Sequence, residues 1–240
     1  MKTLRTFLLM LLPSMVQSAT LLDTFDRPDA PNLGLNWAAQ FGNAEVINQR
    51  AKGLDGGQAL LTYAGYSSTS ISTDLFVGTG DLEYVALVLG YKDLDNNYFI
   101  KIQDQDSSGL FGYYAFYYGN NGSGLFTTLS APFVSGNITA TLSGTTVTLV
   151  VLPTNAAAQV YRHDYGVGSG GSGIGLGFFG SAQADNFVDS APEPSTIVLI
   201  CAGVAGLVIS ERLRKRSGSV VPTKVSHVSV GSRDSPKRPR

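Results

Sequence analysis

One pair of carboxylates, Asp104 and Asp106, and one histidine, His163, are where residues 20–191 of this 240-residue chain offer covalent chemistry. Glycosidic hydrolysis needs two carboxylates about the scissile bond. Asp104 and Asp106 lie two apart, so they share a face wherever 102–106 is extended. The following Asp106-Ser107-Ser108-Gly109 reads as a turn, which argues against that pairing. Glu45 and Glu83, the only glutamates of the stretch, fall on separate predicted strands and read as outward-facing. His163 neighbours Asp164, but adjacent strand residues point to opposite faces, so a Ser-His-Asp triad is not expected and His163 reads as solvent-facing. Glycines 166, 168, 170, 171, 173 and 175 include a Gly-x-Gly spacing without the strand-then-helix context of a phosphate loop. No catalytic residue is assigned.

Binding chemistry is better represented. Asp93, Asp95, Asn96 and Asn97 concentrate oxygen donors of the kind calcium takes, although Asp and Asn also form turns for local reasons. Calcium at Asp93, Asp95 and Asn96 is therefore a candidate, in a spacing unlike an EF-hand. The stretch 111–118, Phe-Gly-Tyr-Tyr-Ala-Phe-Tyr-Tyr, is aromatic on both strand faces. One face of a sandwich strand enters the core and the other is free to stack sugar rings. Tyr114, Phe116 and Tyr118 are taken as the outer, glycan-stacking row; alternation alone leaves open which face is buried.

The elements that must position these residues are strands. Aromatic and β-branched residues alternate with polar ones over 138–142 and 146–151, separated by the tight turn Ser143-Gly144-Thr145. Further strands are predicted at 44–49, 59–64, 82–91, 98–103, 110–118, 158–163 and 173–179. No apolar stripe of helical period interrupts them, so the expected class is all-β, an antiparallel β-sandwich over 20–190. The stretch 20–191 carries 15 Asp plus Glu against 6 Lys plus Arg, a net of −9, which argues against a nucleic-acid partner. It has no cysteine, so no disulfide is expected there.

Leu22-Asp23-Thr24-Phe25-Asp26-Arg27 with Leu35-Asn36-Trp37 resembles the opening of concanavalin A-like, laminin-G-type jelly rolls. The stretches 93–99 and 173–179, then 184–189, resemble their central hairpin and closing strands. The resemblance implies a jelly roll whose first and last strands share a sheet, and many such domains bind calcium. The Glu-x-Asp-x-x-Glu strand motif of jelly-roll glucanases is absent from this sequence.

The ends carry addresses. Lys2 and Arg5, the mostly apolar 7–16 and Ser18-Ala19 read as a signal peptide over 1–19. Pro192-Glu193-Pro194 precedes sixteen uncharged residues, 195–210, and then Arg212, Arg214, Lys215 and Arg216. As a helix, 195–210 spans roughly 24 Å and reads as a transmembrane helix with its basic end cytoplasmic. That order resembles the PEP-CTERM sorting signal, which implies recognition by an exosortase at 191–216. Residues 217–240 read as a disordered basic cytoplasmic tail. The resulting expectation is an exported, non-catalytic surface or matrix protein, transiently anchored in the inner membrane, with weak exopolysaccharide binding. A glycan-degrading enzyme on the same fold, or an unprocessed membrane-anchored protein, are the alternatives.

Overall fold

A computed structural model describes residues 20–119 and 124–190. They form fifteen strands and one 3-10 turn, Leu54–Gly56. In chain order the strands are β1 (Thr20–Asp23), β2 (Trp37–Phe41), β3 (Ala44–Ile47), β4 (Arg50–Gly53), β5 (Ala59–Ser67), β6 (Ser70–Phe76), β7 (Tyr84–Asp93) and β8 (Asn96–Gln103). They continue with β9 (Phe111–Tyr118), β10 (Leu125–Phe133), β11 (Ser135–Ser143), β12 (Thr146–Pro153), β13 (Gln159–Asp164), β14 (Gly173–Phe179) and β15 (Gln183–Asp189).

Two antiparallel sheets face each other. The first runs β10-β9-β8-β7-β14-β5-β2; the second runs β13-β12-β11-β6-β15-β4-β3, with β1 also paired to β15. Period-2 alternation drives the packing. Val85, Leu87 and Leu89 of β7, Tyr98, Ile100 and Ile102 of β8, and Ile174, Leu176 and Phe178 of β14 point inward from the first sheet. Ile71 and Leu75 of β6, Ile138 and Ala140 of β11, and Val147, Leu149 and Val151 of β12 meet them from the second. The all-β antiparallel sandwich expected from the alternation is the fold observed. Thr20 pairs with Asp189, so the first and last strands do share a sheet.

The β11–β12 hairpin closes over Gly144-Thr145, where Gly144 takes φ +63°. A positive φ at the first turn residue matches the twist of a two-residue hairpin and is cheapest for glycine. Edge strand β10 contains Pro132, which cannot donate to a ladder and is tolerated at an edge.

Among the described residues no helix is long and apolar enough to cross a membrane. The expected signal peptide (1–19), the Pro192-Glu193-Pro194 segment, the apolar run 195–210, the basic cluster and the tail all lie outside the described residues.

Candidate functional site

The outer faces of the two sheets differ in chemistry. Ser70, Ser72, Thr139, Thr141, Thr146 and Thr148 alternate with core residues on the second sheet and make its outside hydroxyl-rich. On the first sheet, the register lines up three rows across the strands. One is Phe179, Tyr84, Gln103 and Tyr113 on β14, β7, β8 and β9. The next is Gly177, Ala86, Lys101, Ala115 and then Phe126 on β10. The third is Gly175, Val88, Phe99 and Tyr117. A row of small residues interrupted by one lysine thus lies between two rows that carry aromatic rings. Strands stand about 4.8 Å apart, so five of them give a track of roughly 19 Å.

The rings interlock. Tyr84 packs edge-on to Phe99 at 5.8 Å and stacks with Phe179 at 6.0 Å. Tyr113 lies parallel to Phe126 at 5.3 Å. Gly177 leaves the space Phe99 occupies, for a Cβ built there would stand 2.6 Å from a Phe99 ring carbon. A cleft of about 190 Å³ opens here, lined by Phe41, Leu60, Tyr84, Phe99, Lys101 and Tyr117 among others. That is small beside the roughly 300–1,000 Å³ of a pocket enclosing a drug-sized molecule.

Lys101 joins the two aromatic groups. Its Nζ sits 5.0 Å from the Tyr84 ring centroid, 5.2 Å from Tyr117 and 5.8 Å from Phe126. Each is within reach of cation–π attraction. Burial pushes the Lys101 ammonium below the usual lysine value, because desolvation disfavours its charged form. The ion pairs among the described residues are Arg27–Asp23 and Lys52–Glu45, and neither involves Lys101.

Polar atoms complete the cleft. The Gln58 amide donates to the Tyr84 hydroxyl at 3.0 Å. Asn97, 1% exposed, lines the cleft and spends its amide N–H groups on the Asp93 and Leu94 carbonyls, both at 3.0 Å. Its Oδ1 has no partner among the described residues, and neither does Gln103 Oε1 in the first row.

The sequence candidates fall elsewhere. Tyr114, Phe116 and Tyr118 form the inner row of β9, which corrects the expectation that they face out. Tyr114 is 7% exposed and stacks on Tyr161 at 4.0 Å; Phe116 is fully buried; Tyr118 packs against the core. The outward aromatic residues of that strand are Tyr113 and Tyr117. His163 is likewise turned inward, its ring stacked on Phe116 at 5.5 Å and edge-on to Tyr165 at 4.6 Å.

Neither glutamate points to solvent as expected. Glu83 is 2% exposed, and its Oε1 accepts from Gly80 N–H, Ser181 N–H and the Ser181 hydroxyl. Glu45 pairs with Lys52 at 3.1 Å. Asp104 lies beyond the end of β8 and holds a loop: Oδ1 accepts from the N–H groups of Asp106 and Ser108, and Oδ2 from Gly109 N–H at 2.8 Å. Asp104 and Asp106 therefore do not form a strand-borne catalytic pair.

Asp93, Asp95 and Asn96 sit at the exposed β7–β8 hairpin. Asp93 Oδ1 accepts from Asn96 Nδ2 at 2.7 Å and from Asp95 N–H at 3.1 Å. The Asn96 bond is the main reason the Asp93 carboxyl is held below the usual carboxylate range. Among the described residues no group of three His, Cys, Asp or Glu is placed to hold a metal ion. The glycine-rich segment covers one end of the core, where Tyr98 donates its hydroxyl to the Val167 carbonyl at 2.9 Å.

The sequence reading missed Tyr84, Phe99, Lys101 and Gly177. Their signal was the outward parity of Phe99 and Lys101 against Tyr98, Ile100 and Ile102, a lysine in an otherwise uncharged strand.

No family model matches the chain, and no curated protein does either. Among solved structures, the carbohydrate-binding module CBM66 from Bacillus subtilis is 15% identical, over 66% of this chain and 98% of that one, at a TM-score of 0.49. A Bacillus licheniformis β-glucanase is 10% identical, over 72% and 98%, at 0.48. A GH43B protein of the Bacteroides ovatus xyloglucan PUL is 15% identical, over 72% of this chain and 39% of that one, at 0.47. These likenesses do not bear on ligand or activity.

Proposed function

We propose that the chain is an exported, non-catalytic glycan-binding protein that holds a polysaccharide across the outer face of the first sheet. The observation that carries this reading is the cleft at Phe99, lined by the rings of Phe41, Tyr84, Phe99 and Tyr117 around Lys101. Aromatic rings offer apolar faces to sugar C–H groups, and the polar tip of Tyr117 remains for hydroxyls. The rival reading, a glycan-degrading enzyme, needs two carboxylates at the bound bond. The cleft lining includes a lysine and no acid; both glutamates of the domain lie outside it, Glu45 paired with Lys52 and Glu83 bonded through Oε1 to Ser181.

Electrophoresis of the full chain in gels containing a panel of polysaccharides tests binding. Retardation by at least one polymer, lost in Phe99→Ala and Tyr117→Ala, is expected. Unretarded migration in every gel would overturn the reading.

Delivery is a separate part of the proposal. Pro192-Glu193-Pro194, the apolar run and Arg212 to Arg216 support sorting by an exosortase, and residues 1–19 support export. The intact mass of protein from cells and medium tests it. A species ending near residues 192–194, absent in Glu193→Ala, is expected; a chain ending at Arg240 in both would refute it.

A further inference from the structure

Lys101 is an unusual residue to find in this cleft. Residues 20–191 hold 15 acidic side chains against six basic ones. Of the six, Arg27 and Lys52 are in ion pairs, and Arg50 lies over the Phe76 ring at 3.5 Å while donating to Gln183. Lys101 occupies the middle row of the outer face, between Ala86 and Ala115. It is half-buried, has three rings around its ammonium, and makes no hydrogen bond or ion pair to any described residue.

A lysine that only covered the rings would do so with its methylene stem, and methionine would serve as well. Drawing an ammonium partly out of water costs free energy unless an anion or hydrogen-bond acceptor compensates it. Cation–π contacts return only part of that cost. A ligand that supplied an anionic oxygen to Lys101 would provide that compensation.

We infer that the cleft selects an acidic polysaccharide, with the carboxylate of a uronic acid unit meeting the Lys101 ammonium while its ring lies against Phe99 and Tyr117. This rests on the reading of the face as a glycan site and adds the class of glycan. Selection is local. The net charge of −9 over residues 20–191 repels a polyanion at long range, but at 0.15 M salt that repulsion is screened beyond about 8 Å. The contact at Lys101 then decides between an acidic chain and its neutral counterpart.

The test uses the full chain in 0.15 M salt against matched pairs: polygalacturonate, alginate and glucuronoxylan, each beside the same polymer with its carboxyls reduced to alcohols. Sulfated dextran beside dextran reports whether any anion suffices. At least one uronate polymer is expected to bind tenfold or more tighter than its reduced form. Lys101→Met should abolish that difference and Lys101→Arg should retain it, with all three proteins melting within a few degrees of one another. Equal binding of acidic and reduced polymers, or a preference that survives Lys101→Met, overturns the inference and leaves glycan binding standing. Sulfated dextran bound as well as the best uronate overturns the carboxylate assignment. Failure to bind any polymer, charged or neutral, removes both readings together.

Discussion

The indole N–H of Trp37 donates to Asp23 Oδ2 across 2.7 Å, tying β2 of the first sheet to β1 of the second. The same carboxylate receives both terminal nitrogens of Arg27, at 2.8 and 3.1 Å, and the Phe25 N–H at 2.8 Å. Phe25 sits at φ +52° and is fully buried, a conformation non-glycine residues adopt only when their surroundings hold them there. Trp37 in turn contacts Tyr63 and Phe187 at 5.2 and 5.1 Å.

Asp23→Ala should cost about 3 kcal/mol, since it strands a guanidinium and an indole donor in a partly buried site. In a domain of this size that is a melting-temperature fall of roughly 6–12 °C. Calorimetry of the variant checks it. An unchanged melting temperature would mean that the two sheets are not held here.

The two faces of β9 should separate stability from binding. Phe116→Ala removes a fully buried ring and is expected to cost about 3–5 kcal/mol. Tyr117→Ala should leave the melting temperature within a few degrees and weaken polysaccharide binding about tenfold, near 1.4 kcal/mol. The reverse pattern in paired melting and binding measurements would restore the inner row as the ligand face.

Gly177→Ala probes the seat of the Phe99 ring, which lines the cleft. The new Cβ would stand 2.6 Å from the Phe99 ring and 3.3 Å from the Ala86 Cβ, so Phe99 must move outward. Binding should fall by about fivefold to tenfold, roughly 1–1.4 kcal/mol. Near-ultraviolet circular dichroism should register the displaced aromatics. Unaltered affinity would place the ligand away from Phe99.

Asp185 and Asp74 are register partners on the hydroxyl-rich face. Burial, then the Asp74 charge, raises the Asp185 carboxyl above its ordinary value, while the Asn186 N–H and Arg50 oppose this. A raised folded-state value means that folding favours the protonated form. The associated stability is present below the unfolded carboxylate value and is lost as pH rises through the folded one. Asp185→Asn should therefore stabilise the domain near pH 7 by about 0.5 kcal/mol and leave it unchanged near pH 3. An equal gain at both pH values in urea titrations would assign the effect to packing.

Strand alternation at 138–151 and 173–179 made the sandwich legible because one side of each strand there is apolar and the other small or polar. In 111–118 both sides are aromatic, so period 2 carries no information about which is buried. Phe116 and Tyr117 are adjacent aromatic residues that meet opposite faces of the sheet, one the core and one the outside. Strand β6 was overlooked although Ile71, Thr73 and Leu75 alternate with Ser70, Ser72 and Asp74; β10 was hidden by Pro132. The setting of Lys101 was out of reach for another reason. Gly177, Ala86, Lys101 and Ala115 become one row only through the strand order β14-β7-β8-β9, which no local pattern encodes.

Ser190 ends the described domain with its N–H on the Ser70 carbonyl and its hydroxyl on Ser72. It leads directly out of β15, which pairs with β6 on one flank and with β1 and β4 on the other. Antiparallel ladder bonds run across the strands. Tension applied at Ser190, against a polymer gripped on the opposite sheet, would load those bonds in shear, many at once. The domain would then resist unfolding by a pull at Ser190 better than one whose last strand lay at a sheet edge and could be peeled bond by bond.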